Sequence, residues 1–394
     1  MKKKYVVSCL GAAMFLPLPA GALAPAPAWI TAGDAALKEI RTVAPAIRLV
    51  ASASLGTVDA PERVHAIALD EDDVEAVVRI LHQRLRQCGG FMYHTSEASA
   101  RAALVAPAVV ERKQAYAIGN RHLVEPILAR MHEKNIEATI TALAAFTNRY
   151  YTSQSGVDAS DWLAKTWKDI AAGRADINVR QLPHKGYRQQ SVILTIAGNG
   201  QPEQMVVVGA HLDSIATFRR SENAVAPGAD DDASGVASMT EALRAMVEMN
   251  YRPARTLHLI AYAAEEVGLR GSQEIASQFK ADKADVAGVL QLDMTNYKGA
   301  VNDIYLFTDY TDSAQNAFLE QLIASYLPGV TVGHDRCGYA CSDHASWTAL
   351  GYPASMPFEA SKAQGNPYIH TSRDTFANSG SQAAHALKFA RLAG

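Results

Sequence analysis

Neither sign of charge dominates this chain: 37 Lys and Arg stand against 40 Asp and Glu, a formal net charge of −3 over 394 residues. Without a basic field there is no electrostatic footprint for nucleic acid, and that partner is excluded. Beyond the first residues no stretch approaches the roughly 18 uninterrupted apolar residues that a membrane helix needs. Internal repeats and low-complexity tracts are missing as well, so neither a solenoid nor a long linker is expected. Cysteine is scarce, with four in the whole chain. What is present is ordinary for a globular protein: 48% apolar and 20% charged residues, enough to bury a core of normal size.

The first residues differ from the rest. Lys2, Lys3 and Lys4 precede an apolar stretch from Tyr5 to Leu18, followed by two small-residue cleavage sites, Ala20-Gly21-Ala22 and Ala22-Leu23-Ala24. This pattern predicts a secretory signal over 1–24, too short and too interrupted by Pro17 to stay as an anchor. Export to the medium or the periplasm follows, with no stable membrane association after cleavage. Cys9 leaves with the signal. Cys337 and Cys341 are close in sequence, and an oxidising compartment would let them pair. Cys88 then has no evident partner, so it is either free or in a segment that is removed.

Residues 25–118 read as a separate N-terminal region, either a propeptide or an accessory unit. They are Ala-rich and carry an acidic run, Asp70-Glu71-Asp72-Asp73, before a helical stretch from Val74 to Leu85. Residues 119–394 form the main domain. Ile136, Ile140, Leu143 and Phe146 make one helical stripe, and Asp158 to Trp167 reads as a helix capped by Asp158. Short apolar runs follow at Ser191–Ile196, Met205–Ala210, Thr256–Ala261, Val286–Leu292 and Asp303–Phe307. Helical segments such as Ser234 to Met249 and Gly268 to Phe279 lie between them. Strands apolar on both faces and alternating with helices predict an α/β/α sandwich with a mixed, mainly parallel sheet.

Polar groups collect where such strands end. One run ends in His211-Leu212-Asp213, the next in Glu265-Glu266, and a third in Asp293; an acidic turn, Asp230-Asp231-Asp232, leads into a helix. Asn366-Pro367-Tyr368-Ile369-His370 adds a second imidazole. Taken singly, a histidine after a strand is ordinarily packing, and an Asp run is a cap or a solvated loop. Together they differ, because acidic groups at buried strand ends are costly unless they bind something. Imidazoles with carboxylates suit zinc, and the count exceeds what one four-coordinate ion needs. Two ions sharing a carboxylate would fit. A carboxylate that is not a ligand would then take the proton from water, and Glu265 and Glu266 could divide those tasks.

Six segments carry a family resemblance: Gly209-Ala210-His211-Leu212-Asp213-Ser214, Ala226 to Gly235, Ala263-Ala264-Glu265-Glu266-Val267-Gly268, Gln291-Leu292-Asp293-Met294, Cys337 to His344 and Tyr368-Ile369-His370-Thr371. From about residue 135 to the C-terminus the chain resembles the secreted two-zinc bacterial leucyl aminopeptidases of the zinc exopeptidase family. The resemblance implies a monomeric enzyme, made as a zymogen, that acts on peptides with a free N-terminus and holds two Zn2+ per chain. His211 and Asp293 would bind one ion, Glu266 and His370 the other, with Asp231 bridging and a cis bond from Asp231 to Asp232. Glu265 would be the general base, Asp213 would orient His211, and Tyr339, between a bonded Cys337 and Cys341, would stabilise the tetrahedral intermediate. Met294, Phe307, Phe358 and Ile369 would line an apolar substrate pocket, while Lys362 and Gly365 stand where relatives carry aromatics. The N-terminal region would be a removable propeptide. Three alternatives remain: a single-zinc glutaminyl cyclase on the same fold, a related carboxypeptidase, and a non-catalytic peptidase-fold binding protein. The first needs fewer ligands, the second needs a cationic group for the substrate carboxylate, and the third predicts eroded ligands.

Overall fold

The computed structural model describes residues 27–57, 60–85, 90–105, 116–217 and 221–394. The expected export signal, Cys9 and Cys88 fall outside these residues.

Residues 27–105 build a small sheet with helices on both sides. The elements are β1 (Pro27–Gly33), α1 (Asp34–Val43), β2 (Arg48–Thr57), β3 (Ala60–Asp70), α2 (Val74–Leu85), β4 (Met92–His94) and α3 (Glu97–Ala102). The strands lie in the order β2-β3-β1-β4, and β1 runs antiparallel to both its neighbours. Ile30 and Ile67 point to one face, where they meet Leu37 and Ile40 of α1 and Val77 and Leu81 of α2. Val64 and Ala66 turn the other way, toward Ala100 of α3 and Leu104. The period-2 alternation of β3 therefore serves two apolar layers. Helix α2 spans the residues expected from sequence, whereas the sheet beside it was not anticipated.

The main domain begins with α4 (Arg121–Leu128), α5 (Glu133–Ala144) and α6 (Gln154–Ile170). Asp158 lies inside α6 and does not cap it. Ser153 is the cap, its hydroxyl accepting from the Gly156 N–H at 2.8 Å, while the Asp158 carboxylate accepts from Gln154 one turn back. There follow β5 (Ile177–Leu182), β6 (Ser191–Ile196), β7 (Gln201–His211), α7 (Ala233–Glu248), β8 (Arg255–Tyr262), α8 (Arg270–Ala281) and β9 (Asp285–Gln291). The last part holds β10 (Ile304–Phe307), α9 (Ser313–Tyr326), β11 (Val332–Asp335), α10 (His344–Thr348), β12 (Ala354–Ser355), β13 (Pro357–Phe358) and α11 (Ala384–Ala393).

Six strands form the central sheet in the order β12-β9-β7-β8-β6-β5. The pairs from β12 to β8 are parallel, and β6 and β5 run antiparallel at one edge. A second sheet of three strands has β10 between β11 and β13. Neighbouring residues of the central strands face opposite layers. Val208 and Leu259 join α5, α7 and α11, whereas Val207 and Ile260 join α8 and Trp347 of α10. The result is the expected α/β/α sandwich, with the carboxyl ends of β7, β8 and β9 opening side by side at one rim.

Candidate metal centre and active site

Three strand ends and two loops converge on this rim. His211 is the last residue of β7, and its Nε2 lies 2.9 Å from one oxygen of Asp231 and 3.7 Å from Asp293. The second oxygen of Asp231 is 3.0 Å from Nε2 of His370, which in turn is 2.7 Å from Glu266. Asp231 thus faces His211 with one oxygen and His370 with the other, the arrangement a bridging carboxylate requires. All five side chains are buried, as is Glu265. The bond between Asp231 and Asp232 is cis. Ala264, Met294 and His370, each at or beside a candidate site residue, hold φ values of 59°, 59° and 56°. Such left-handed backbone in non-glycine residues costs on the order of 1–3 kcal/mol each and persists where surrounding structure enforces it.

The enforcement comes from a ring of carboxylates spent on backbone amides. Asp232 accepts from the N–H groups of His211, Gly235 and Met294, each at 3.0 Å, tying the ends of β7, α7 and β9 together. Asp232 also lies within reach of His211 and Asp293 as a possible ligand. Its oxygens are already committed to these amides, so Asp231 is the better bridge. Asp374 accepts from Asp230 N–H and Asp231 N–H, both at 3.1 Å. Behind the loop, Arg149 is fully buried and donates to the carbonyls of Leu212 (2.7 Å), Gly228 (2.9 Å) and Pro227. Sequence reasoning missed Arg149, Asp232 and Asp374. Apart from the Gly235 amide, three residues from Asp232, their partners named here are backbone groups distant in sequence, and no spacing announces those contacts.

Asp213 stands behind His211 and serves a second group as well. Its carboxylate stands 3.5 Å from Nδ1 of His211, while Nδ1 pairs with the Asp213 backbone carbonyl at 3.1 Å. The carboxylate itself accepts from the N–H groups of Glu265 and Glu266 at 2.9 and 3.1 Å. It thereby fixes the turn that presents the two glutamates while keeping its place beside the imidazole.

Charge is the main problem at this site. Four carboxylates, Asp231, Glu265, Glu266 and Asp293, meet two imidazoles away from water. Both Glu265 oxygens and one Asp293 oxygen are buried without a hydrogen-bond partner among the described residues. Burial pushes Glu265 well above the usual carboxylate range, and Glu266, Asp343 and Asp293 add to the rise against the pull of His211. Burial likewise raises Glu266 to about 7, with Asp231 adding and His370 opposing. Burial would raise Asp231 too, but the bonds from His211 and His370 outweigh it and hold that carboxyl below its ordinary range. Orphaned buried oxygens beside imidazoles form a donor set in need of cations, and the mixture of nitrogen and oxygen suits zinc.

Next to this centre lies a cleft of about 480 Å3. Met294, Phe307, Phe358 and Ile369 all line it, and the Phe307 and Phe358 rings stack at 5.0 Å. Cys337 and Cys341 are bonded and form part of the same wall. Asp309 holds their loop by accepting from Cys337 N–H and Gly338 N–H at 2.9 and 2.6 Å. Tyr339 is buried in this apolar cluster, and its hydroxyl accepts from the Lys362 ammonium at 3.1 Å. One part of the wall was not foreseen: Ile80, His82, Gln83 and Arg84, from the last turns of α2.

The profile of peptidase family M28 matches residues 191–393. Leucine aminopeptidase 1 of Aspergillus niger is 38% identical over 283 residues, covering 68% of this chain and 71% of its own. A probable aminopeptidase of Saccharomyces cerevisiae is 35% identical over 266 residues, covering 66% and 71%. The crystal structure of Legionella pneumophila LapA aminopeptidase superposes with a TM-score of 0.76 at 30% identity, covering 94% of this chain and 97% of that one. A glutaminyl cyclase from Porphyromonas gingivalis, at 16% identity and a TM-score of 0.55 over 67% of this chain, shares the fold alone. The chain belongs to peptidase family M28 and is a zinc-dependent aminopeptidase, a hydrolase of peptide bonds.

Proposed function

We propose that the enzyme removes leucine-like N-terminal residues from peptides, with two zinc ions held by His211, Asp231, Asp293, Glu266 and His370. The observation that carries this reading is the split of Asp231, one oxygen toward His211 and the other toward His370. His211 and Asp293 would complete one ion, Glu266 and His370 the other. When bound, the ions supply Lewis acidity, making an attacking water more acidic and polarising the scissile carbonyl. Glu265 is the proton carrier. It is buried, close to the ligands in sequence and space, and its oxygens accept no hydrogen bond from the described residues. It takes the proton of the attacking water and delivers it to the departing amine nitrogen. Burial raises its pKa above the usual carboxylate range, which makes the carboxylate a stronger base toward that water. Met294, Phe307, Phe358 and Ile369 receive the N-terminal side chain by apolar contact. Tyr339 assists at the developing oxyanion, with Lys362 fixing its hydroxyl.

Export of a monomer fits the leader-like first residues and the Cys337–Cys341 bond, which persists in oxidising surroundings. The deciding experiment is hydrolysis of leucine anilide by wild type and Glu265→Gln, with zinc counted in both. The variant should keep about two zincs and lose roughly 100- to 10,000-fold in kcat. A variant that stays active, or a wild type that holds a single zinc, would sink the assignment.

A further inference from the structure

The turn carrying Glu265 and Glu266 commits its peptide groups one by one. Asp213 takes the amides of both glutamates. The Ala264 carbonyl accepts from Arg270 N–H at 3.0 Å, and the Ala263 carbonyl from Gly271 N–H at 3.1 Å. The Glu265 carbonyl accepts from the N–H groups of Gly268 and Leu269. The Ala263 amide lies just beyond the end of β8, where the ladder with β6 has already stopped at Val192 and Ala261. A buried N–H needs a partner, and here a side chain supplies it. Ser191 Oγ accepts from Ala263 N–H at 2.9 Å.

Ser191 is fully buried, and its hydroxyl must also place its own proton. Nε2 of His184 lies 2.7 Å from it, and Nδ1 of the same ring lies 2.8 Å from the Glu274 carboxylate on α8. These two contacts fix the tautomer. Nδ1–H donates to the carboxylate, so Nε2 keeps its lone pair and accepts the Ser191 O–H. Burial lowers the His184 pKa, with Glu274 opposing, and the ring is neutral at neutral pH. The Tyr187 ring stacks on the imidazole at 5.1 Å. Serine, histidine and glutamate stand in the order of a hydrolase triad, but Ser191 is closed to any substrate. What they form is a relay of hydrogen bonds from the half-exposed Glu274 to the first peptide group of the catalytic turn.

Resting on the reading of Glu265 as the proton carrier, we propose that Glu274, His184 and Ser191 are positioning residues for it. They hold the Ala263 amide where β8 leaves the sheet, and so set the turn that aims the Glu265 carboxylate. Proton transfer depends on that aim: a misplacement of about 1 Å from a remote change can cost on the order of 100-fold. An apolar residue in place of Ser191 would fill the space but leave the Ala263 N–H unmatched. The four apolar side chains of the cleft, Met294, Phe307, Phe358 and Ile369, make no contact with the relay through these bonds. Its loss therefore falls on kcat and spares KM.

The test measures kcat and KM for leucine anilide at saturating zinc, with all variants prepared alike. Ser191→Ala should lose about tenfold in kcat while KM stays within about twofold, since one buried hydrogen bond is worth up to about that factor. Glu274 allows a cleaner measurement, because it is half-exposed and its removal opens no buried cavity. Glu274→Ala should lose about threefold in kcat. Glu274→Gln should keep the wild-type value, as its amide oxygen still accepts from Nδ1–H. In a Ser191→Ala background, Glu274→Ala should cost nothing further, the mark of a residue acting through that hydroxyl. Glu320→Ala, which removes an exposed partner of His334, should leave kcat unchanged. Wild-type kcat in either single alanine variant overturns the proposal. So does a Gln variant that falls as far as the Ala variant, or a Glu274→Ala loss that persists without the Ser191 hydroxyl. Should Ser191→Ala fail to fold, the Glu274 pair decides alone. Glu265→Gln, run alongside, separates the relay from the reading beneath it. If that variant is as active as wild type, the proton carrier is misassigned; if it is inactive while Glu274→Ala turns over normally, the relay alone is wrong.

Discussion

Arg149 shows how a single buried cation organises a site it does not enter. Its guanidinium draws the carbonyls of Leu212, Pro227 and Gly228 to one point, joining the segment after His211 to the loop before Asp231. Burial pulls its pKa down, while Asp374, Asp232, Asp213 and Asp231 hold it up. Arg149→Met leaves those carbonyls without their donor and the acidic ring without its counter-charge. Breaking such a buried arrangement costs about 3–5 kcal/mol. Thermal unfolding should shift down by on the order of 10 °C, and the zinc content at a fixed chelator concentration should fall. Arg149→Lys should rescue little, since one ammonium cannot reproduce the planar fork. A variant that unfolds like wild type would show that the loops hold themselves.

At the scale of elements, the turn from β8 into α8 is the joint between the two units. Gly268 sits in it with φ at +101°, and a Cβ there would stand 2.7 Å from the Phe91 ring and 2.9 Å from the Tyr93 nitrogen. Gly268→Ala meets both a backbone penalty and a clash, together about 1–3 kcal/mol. Limited proteolysis should then cut between the units at a denaturant concentration that leaves wild type whole. Activity on leucine anilide should fall with it, because Glu265 and Glu266 share the turn. An unchanged digestion pattern would argue against tight docking. The same joint marks the limit of what the sequence discloses. The central strands were legible because Met205–Ala210 and Thr256–Ala261 are apolar on both faces, and α2 because its apolar residues recur at helical spacing. The N-terminal sheet was not, since β2, with its Ala, Ser and Gly, carries little pattern to read. Edge strand β5 was likewise missed, with Arg180 and Gln181 among its few apolar residues. Three candidate ligands, His211, Glu266 and Asp293, were legible because they follow strand ends in order, and Asp231 and His370 because they stand in an acidic turn and a loop bearing the second imidazole. Arg84 was not, because only tertiary packing brings α2 to the rim.

For the molecule as a whole, one apolar cluster includes residues of both units, Phe91 and Leu81 with Ala264 and Val267. A shared core should make unfolding a single event. Calorimetry of the zinc-loaded chain should give one transition, and tryptophan fluorescence and far-UV dichroism should trace the same curve. Two separated transitions would show that the N-terminal unit unfolds on its own. The contact between α2 and the rim also bears on biosynthesis. Gln83 is 134 residues ahead of its partner Thr217. At about 5–20 residues per second, it leaves the ribosome on the order of ten seconds earlier. The small sheet and α2 can therefore close before the catalytic strands exist, with the apolar side meant for Ala264 and Val267 still bare. During that interval the nascent chain displays a sticky surface whose cover has not yet been translated. Slow translation through the central strands would lengthen that exposure, and chaperones that mask apolar patches would have their greatest effect on yield there.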